Sequence, residues 1–156
     1  MDDYKVIFLD IDGVLNGNLF VSKDDKIGVL IDNTRLNLIK QIIDVTDAKI
    51  VLSSSWREHW EKNETKCDDI GKKINEIFAA KGLSIFDKTP KYHNDRKQEI
   101  IDWLQKHPDV SEFVVIDDNP FAEGVLRNHF VLTSHLRYGI DEDDVKKAVF
   151  ILNPNN

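Results

Sequence analysis

The sequence predicts an α/β fold in which a mostly parallel sheet is covered by helices on both faces. Short apolar runs alternate along the chain with segments of helical periodicity, and each run is almost entirely apolar. Such runs are typical of parallel strands that are buried on both faces. Strands and helices that alternate in this way form a three-layer, Rossmann-like arrangement.

Five runs are the candidate strands of this sheet. Four of them cover residues 5–9, 48–52, 113–116 and 130–132, and a weaker candidate covers residues 83–86. Each is short, rich in Val, Ile, Phe or Leu, and followed by a helical or turn-forming segment. In a parallel sheet, ligands bind outside the carboxyl ends of the strands.

Four helices are predicted between and after these strands. Asp32 and Asp95 each stand where a side-chain oxygen can cap a helix N-terminus, and the final helix is predicted to begin at about Asp141. The remaining helix has an apolar stripe over residues 70–78, and Gly82 suits the position after its last turn.

Length and composition favour one domain over residues 1–156, with 153–156 as a tail. The net charge of −7 argues against broad binding to nucleic acid or anionic membrane, but it permits a locally positive pocket for a phosphorylated substrate. The single cysteine, Cys67, excludes an intrachain disulfide and fits a reducing compartment. No apolar stretch reaches the length of a membrane span, so we expect a cytoplasmic protein. The oligomeric state stays open.

Acidic pairs follow two of the predicted strands. Asp10 and Asp12 come directly after the first, and Asp117 and Asp118 come directly after the fourth. Residues two apart on an extended chain leave the same face, so the first pair points one way. Four unpaired carboxylates at one edge would repel one another, and a divalent cation such as Mg²⁺ would remove that repulsion. Solvated loop acids or helix caps are the alternative interpretation.

Hydroxyl and cationic side chains are predicted at the same edge. Ser53, Ser54 and Ser55 follow the second strand and could bind phosphate, although a polar turn with a helix cap would use the same residues. Arg57 follows them and can grip phosphate with two parallel hydrogen bonds. Residues 96–97, Arg-Lys, open the third helix, where positive charge is slightly unfavourable unless it neutralises a bound anion.

Taken in order, these residues resemble the four motifs of the haloacid dehalogenase (HAD) superfamily of phosphohydrolases. The motifs are residues 10–15 (DIDGVL), the serine cluster 53–55, Lys97, and the acidic pair 117–118. The finer pattern, SSSWR, RKQEIIDWL, VVIDD and then YGID, is similar to the small capless branch related to the phosphatase domains of nucleic-acid end-repair proteins.

The resemblance implies a mechanism. Asp10 would attack phosphorus and form an aspartyl-phosphate, while Asp12 would act as general acid and then as general base. Mg²⁺ would be held by Asp10, the backbone carbonyl of Asp12 and Asp117, and Asp118 would bind it directly or through water. The phosphoryl oxygens would be held chiefly by Ser54 and Lys97, with further substrate-binding candidates Ser53, Ser55, Arg57 and Arg96. Ser53 could replace Ser54, and Arg96 could replace Lys97.

The resemblance also bears on the substrate, because many members carry a cap domain. About forty residues separate Asp12 from Ser53, which leaves room for a flap at 16–30 but hardly for a cap. An open site suits large substrates such as nucleic-acid ends or phosphoproteins, or it is closed by a partner subunit. The residues that could line a local groove for such a substrate are Arg57, His59, Trp60, Lys91, His93 and Arg96.

Other functions remain as alternatives to a phosphatase that acts on polynucleotide ends. A phosphatase of small metabolites or nucleotides would carry the same motifs, and a catalytically silent regulatory domain could share the fold. A phosphoacceptor receiver domain fits poorly, because its adjacent acid pair follows the first strand, whereas in this chain the adjacent pair follows the fourth.

Trp56 and Trp60 lie four residues apart, a spacing more often found in core packing than in a binding site.

Overall fold

A computed structural model describes residues 2–17, 31–92, 95–134 and 139–155. The candidate flap at 16–30 lies outside these ranges except for residues 16 and 17, and so does the groove candidate His93. Within the described ranges, no helix is long and apolar enough to cross a membrane.

Among the described residues, the sheet has five strands in the order β3-β2-β1-β4-β5, and every pairing between them is parallel. The strands are β1 (Tyr4–Leu9), β2 (Lys49–Leu52), β3 (Ile85–Lys88), β4 (Val110–Asp117) and β5 (Phe130–Leu132). β1 lies at the centre, between β2 and β4, so the carboxyl ends of these three strands are neighbours. The predicted fold class is confirmed.

The third strand differs from its predicted range of 83–86. Leu83 is buried in the core, but its N–H donates to the carbonyl of Phe78, at the end of the preceding helix. Its apolar side chain therefore packs at a helix end, and the strand begins only at Ile85.

Helices cover both faces of the sheet. They are α1 (Asn33–Thr46), α2 (Asp69–Ala79), α3 (Arg96–Gln105) and α4 (Glu142–Leu152), and short 3₁₀ helices span Ser55–His59, Glu64–Lys66 and Gly124–Leu126. The caps predicted at Asp32 and Asp95 are confirmed, because each accepts a hydrogen bond from a backbone N–H in the first turn that follows. Asp141 caps α4 in the same way.

The buried apolar residues in the described part of the chain form two hydrophobic cores, on opposite faces of the sheet. On β1, Ile7 and Leu9 belong to one core, whereas Val6 and Phe8 belong to the other, as the alternation of side chains along a strand requires. The first core includes α1, α2 and α4, and the second includes α3. Because apolar residues cover both faces of the sheet, polar side chains lie at or beyond the ends of its strands.

Candidate active site

Three carboxylates meet at the carboxyl edge of the sheet. Asp10 follows β1, Asp117 ends the neighbouring β4, and Asp118 comes next. One oxygen atom from each carboxylate lies within 4.8 Å of the others. Asp10 and Asp117 are buried, so their charges are poorly solvated.

Arg96, the first residue of α3, contacts this cluster. Its Nη1 donates to Asp117 Oδ2 at 2.9 Å and to Asp10 Oδ2 at 3.2 Å. Burial and the neighbouring charge of Asp117 raise the pKa of Asp10 to about 8, although Arg96 opposes the shift. Burial likewise raises the pKa of Asp117. The contact with Arg96 therefore does not outweigh the effect of burial on the pKa of Asp10 and Asp117.

The chemistry of this cluster fits a hard divalent cation. All three donors are carboxylate oxygens, and no described thiolate or imidazole belongs to the group. Mg²⁺ prefers oxygen ligands of this kind, and its charge would favour the ionised form of buried carboxylates.

Asp12 lies on the same pocket but outside the three-carboxylate cluster. Its side chain is exposed, and two side chains hold it: Trp56 Nε1 donates to Oδ2 at 3.0 Å, and Asn16 Nδ2 donates to Oδ1 at 3.3 Å. The carboxylate is thus oriented beside the cluster while it stays open to solvent and substrate.

Gly13 allows the tight turn that follows Asp12 and lies next to Asp118. Its φ is +81°, and a Cβ atom at this position would lie 2.2 Å from Asp118 Oδ2. Thr133 Oγ1 donates to the Gly13 carbonyl at 2.6 Å and ties the turn to the chain after β5. Asp118 can approach this turn because residue 13 has no side chain.

The three serines have different surroundings. The Ser53 N–H donates to the carbonyl of Leu9 at 2.8 Å, so this residue extends the pairing of β2 with β1. Its buried hydroxyl has no hydrogen-bond partner among the described residues. Ser54 is fully buried and caps the 3₁₀ helix, because its Oγ accepts from the Trp56 N–H at 3.2 Å. Ser55 is exposed at the pocket.

The other cations predicted for the site have protein partners. Arg57 is buried, and its Nη2 donates to Glu99 Oε2 at 2.8 Å. Lys97 Nζ lies 3.4 Å from Glu123 Oε2. Of residues 96 and 97, it is Arg96 that lines the pocket with the carboxylates.

The pocket that unites these groups has a volume of about 450 Å³. Its lining includes Asp10, Asp12, Ser55, Arg96, Asp118 and Asn119. The structure therefore brings together both acidic pairs, one of the serines and one cation of the predicted set.

Sequence reasoning missed the contact that Trp56 makes. The indole ring packs against the core, as its spacing from Trp60 suggested, yet its N–H reaches Asp12. The available signal was its place directly after the serine run, at the carboxyl edge of the sheet. Glu99 was missed as well, and it had no local signal, since its partner Arg57 lies far away in the sequence.

A parallel sheet that gathers carboxylates after β1 and β4 is the arrangement expected of a HAD-type α/β domain. Residues 6–145 match the family model described as the HAD domain in Swiss Army Knife RNA repair proteins, and the chain belongs to this family. The resemblance to the HAD superfamily is confirmed. No curated protein and no solved structure matches the chain significantly.

Proposed function

We propose that this chain is a Mg²⁺-dependent phosphatase that hydrolyses a phosphate monoester at the end of a nucleic-acid chain, through an aspartyl-phosphate. The observation that carries the proposal is the cluster of Asp10, Asp117 and Asp118 beside Arg96, in a pocket that Asp12 also lines. Membership in a family of HAD domains from RNA repair proteins supports the choice of substrate.

Asp10, Asp117 and Asp118 would hold the metal ion, together with the backbone carbonyl of Asp12. When bound, Mg²⁺ supplies positive charge that offsets both the carboxylates and the phosphoryl oxygens. The remaining chemistry belongs to side chains of this protein.

In the first step, an oxygen of Asp10 attacks phosphorus, and the bond from phosphorus to the leaving oxygen breaks. Asp12, in its acid form, donates its proton to that leaving oxygen, and an alcohol departs. The product is an aspartyl-phosphate on Asp10 with Asp12 ionised. Trp56 and Asn16 keep the Asp12 carboxylate in place during the transfer.

In the second step, Asp12 removes a proton from water while the water oxygen attacks phosphorus. The bond between phosphorus and Asp10 breaks, inorganic phosphate leaves, and both aspartates return to their starting states. The exposure of Asp12 supports this role, because the general base needs access to water.

Arg96 and Ser53 are the best candidates to hold the phosphoryl oxygens. Arg96 already binds the two buried carboxylates, so its charge lies where a phosphoryl group would sit. The buried hydroxyl of Ser53, without a described protein partner, can donate to such an oxygen. Ser54 and Lys97 would act indirectly, through the helix cap and the contact with Glu123.

The test is phosphate release in the presence of Mg²⁺ from 3′- and 5′-phosphorylated oligonucleotides, mononucleotides and sugar phosphates. The nucleophile variant Asp10→Asn should lose activity at least about a thousandfold. Asp44→Asn, on the exposed face of α1, is the matched control and should keep wild-type rates.

A preference for oligonucleotides would support an end-processing enzyme, and a preference for small phosphates would redirect the proposal to metabolites. Absence of activity on every substrate, with Mg²⁺ binding retained, would contradict the proposal and favour a silent regulatory domain.

A further inference from the structure

A second pocket adjoins the one that contains the carboxylates. It has a volume of about 210 Å³ and is lined by Ser55, Arg57, Lys91, Arg96, Glu99 and Asn119. Ser55, Arg96 and Asn119 line both pockets. The two spaces are therefore contiguous, and Arg96 lies between them.

The second pocket gathers cationic side chains, although the chain as a whole carries a net charge of −7. Its lining has three cationic side chains and one carboxylate, Glu99. Glu99 Oε2 already accepts hydrogen bonds from Arg57 Nη2 at 2.8 Å and from the Tyr92 N–H at 2.7 Å. Arg96 contacts the buried carboxylates Asp10 and Asp117, whereas the partner of Lys91, Glu58, is exposed. Lys91 is therefore the cation of this pocket whose present partner is most easily replaced.

Two groups in this pocket have hydrogen-bonding capacity left for a ligand. Arg57 is almost completely buried, and its Nε has no hydrogen-bond partner among the described residues. Lys91 is paired with Glu58, but both side chains are about half exposed. Exposed ion pairs contribute little to stability, so Lys91 can exchange Glu58 for a stronger anion at small cost.

We propose that this pocket binds a second phosphate group of the substrate, next to the phosphate that is hydrolysed. The proposal rests on the proposed function, and it narrows the substrate to molecules with two neighbouring phosphates. Both the phosphorylated end of a nucleic-acid chain and a nucleoside bisphosphate have this chemistry. Lys91 binds the second phosphate, while Arg96 lies between it and the reacting one.

The experiment compares kcat/KM for adenosine 3′,5′-bisphosphate with kcat/KM for the 3′- and 5′-monophosphates. The wild type should prefer the bisphosphate, and Lys91→Met should lower that selectivity roughly fivefold, the effect of one charged contact near the surface. Glu58→Gln removes the competing carboxylate and should raise the selectivity about twofold. Loss of structure cannot change the selectivity in opposite directions in variants of the two residues of one ion pair.

Lys106→Met, at the far end of α3, is the matched control and should leave the selectivity unchanged. A 5′-phosphorylated dinucleotide, which carries its second phosphate as a diester, distinguishes the sources of the ligand. Preference for it over the monophosphate indicates a nucleic-acid chain, whereas preference for the bisphosphate alone indicates a free nucleotide.

Equal selectivity in the wild type and Lys91→Met would overturn the second subsite, even if all the monophosphates were hydrolysed. If no compound is hydrolysed, the proposed function fails, and calorimetric binding of the bisphosphate and monophosphates takes the place of kinetics. Equal affinity for both ligands would then overturn the subsite on its own.

Discussion

The hydrogen bond from Trp56 to Asp12 can be tested by removing one N–H group. Trp56→Phe keeps an aromatic ring against the core but deletes the donor that lies 3.0 Å from Asp12 Oδ2. Asn16 would remain as the described side chain that donates to the Asp12 carboxylate, at the longer distance of 3.3 Å. If Asp12 is the general acid, its carboxyl group would then be held less well for proton transfer.

The magnitude follows from the geometry. Hydrogen bonds to charged groups contribute about 1.5–3 kcal/mol, and the partial exposure of Trp56 places this one near the lower limit. A loss of about 1.4 kcal/mol in the transition state lowers kcat/KM about tenfold.

The assay compares an alkyl phosphate with p-nitrophenyl phosphate, and kcat/KM is measured for each. A poor leaving group needs the proton that Asp12 donates, whereas p-nitrophenolate leaves without much assistance. We therefore expect the tenfold loss on the alkyl ester and a much smaller loss on the aryl ester. Since kcat/KM includes only steps through departure of the leaving group, hydrolysis of the aspartyl-phosphate does not affect the comparison.

Trp103→Phe is a matched control for this substitution. Trp103 Nε1 also donates to an aspartate, Asp87 Oδ2, at 3.0 Å, but the pair lies outside the described lining of both pockets. Trp103→Phe should leave kcat/KM unchanged for both esters, and circular dichroism verifies that the variant is folded. Equal losses on the two esters in Trp56→Phe would refute the positioning role.

Two other substitutions test the turn and helix α4. Gly13→Ala should weaken Mg²⁺ activation at least about tenfold, because its Cβ would collide with Asp118. Gly82→Ala is the control, since Gly82 has a similar positive φ without that contact. An equal loss of Mg²⁺ activation in Gly82→Ala would contradict the reasoning. Burial raises the pKa of Asp144 to about 6, so the folded wild type binds a proton between pH 7 and pH 5 that the unfolded chain does not. The contribution of Asp144 to the free energy of unfolding therefore rises as the pH falls. The gain in unfolding free energy that Asp144→Asn shows over the wild type in urea denaturation should shrink by about 1 kcal/mol between pH 7 and pH 5. A gain that does not depend on pH would contradict the raised pKa of Asp144.

Much of the fold could be predicted because its signals are local. The helix caps at Asp32 and Asp95 depend on a few neighbouring residues, and both are present. Apolar runs identify the strands, but they do not define the residues at which the strands begin and end. Leu83 has the composition of a strand residue, and only its contact with the end of α2 excludes it from β3.

The choice among the serines depends on where β2 stops pairing. Ser53 still donates to the carbonyl of Leu9, so it behaves as the last residue of the strand. Ser54 is then the first residue able to cap the 3₁₀ helix, and its Oγ accepts a hydrogen bond from the Trp56 N–H. The sequence shows three equivalent hydroxyls, whereas the backbone makes their surroundings different.

The choice between Arg96 and Lys97 depends on which face of α3 packs on the sheet. Ile100 and Trp103 are buried, while Ile101 and Leu104 are only partly buried, although both pairs have helical spacing. Arg96 lies four residues before Ile100, so it shares the face that approaches the sheet. Lys97 is rotated by about 100° from it and meets Glu123 instead. Because the rotation is set by packing against distant strands, the sequence of α3 alone left both cations open, and their different contacts follow from the tertiary structure.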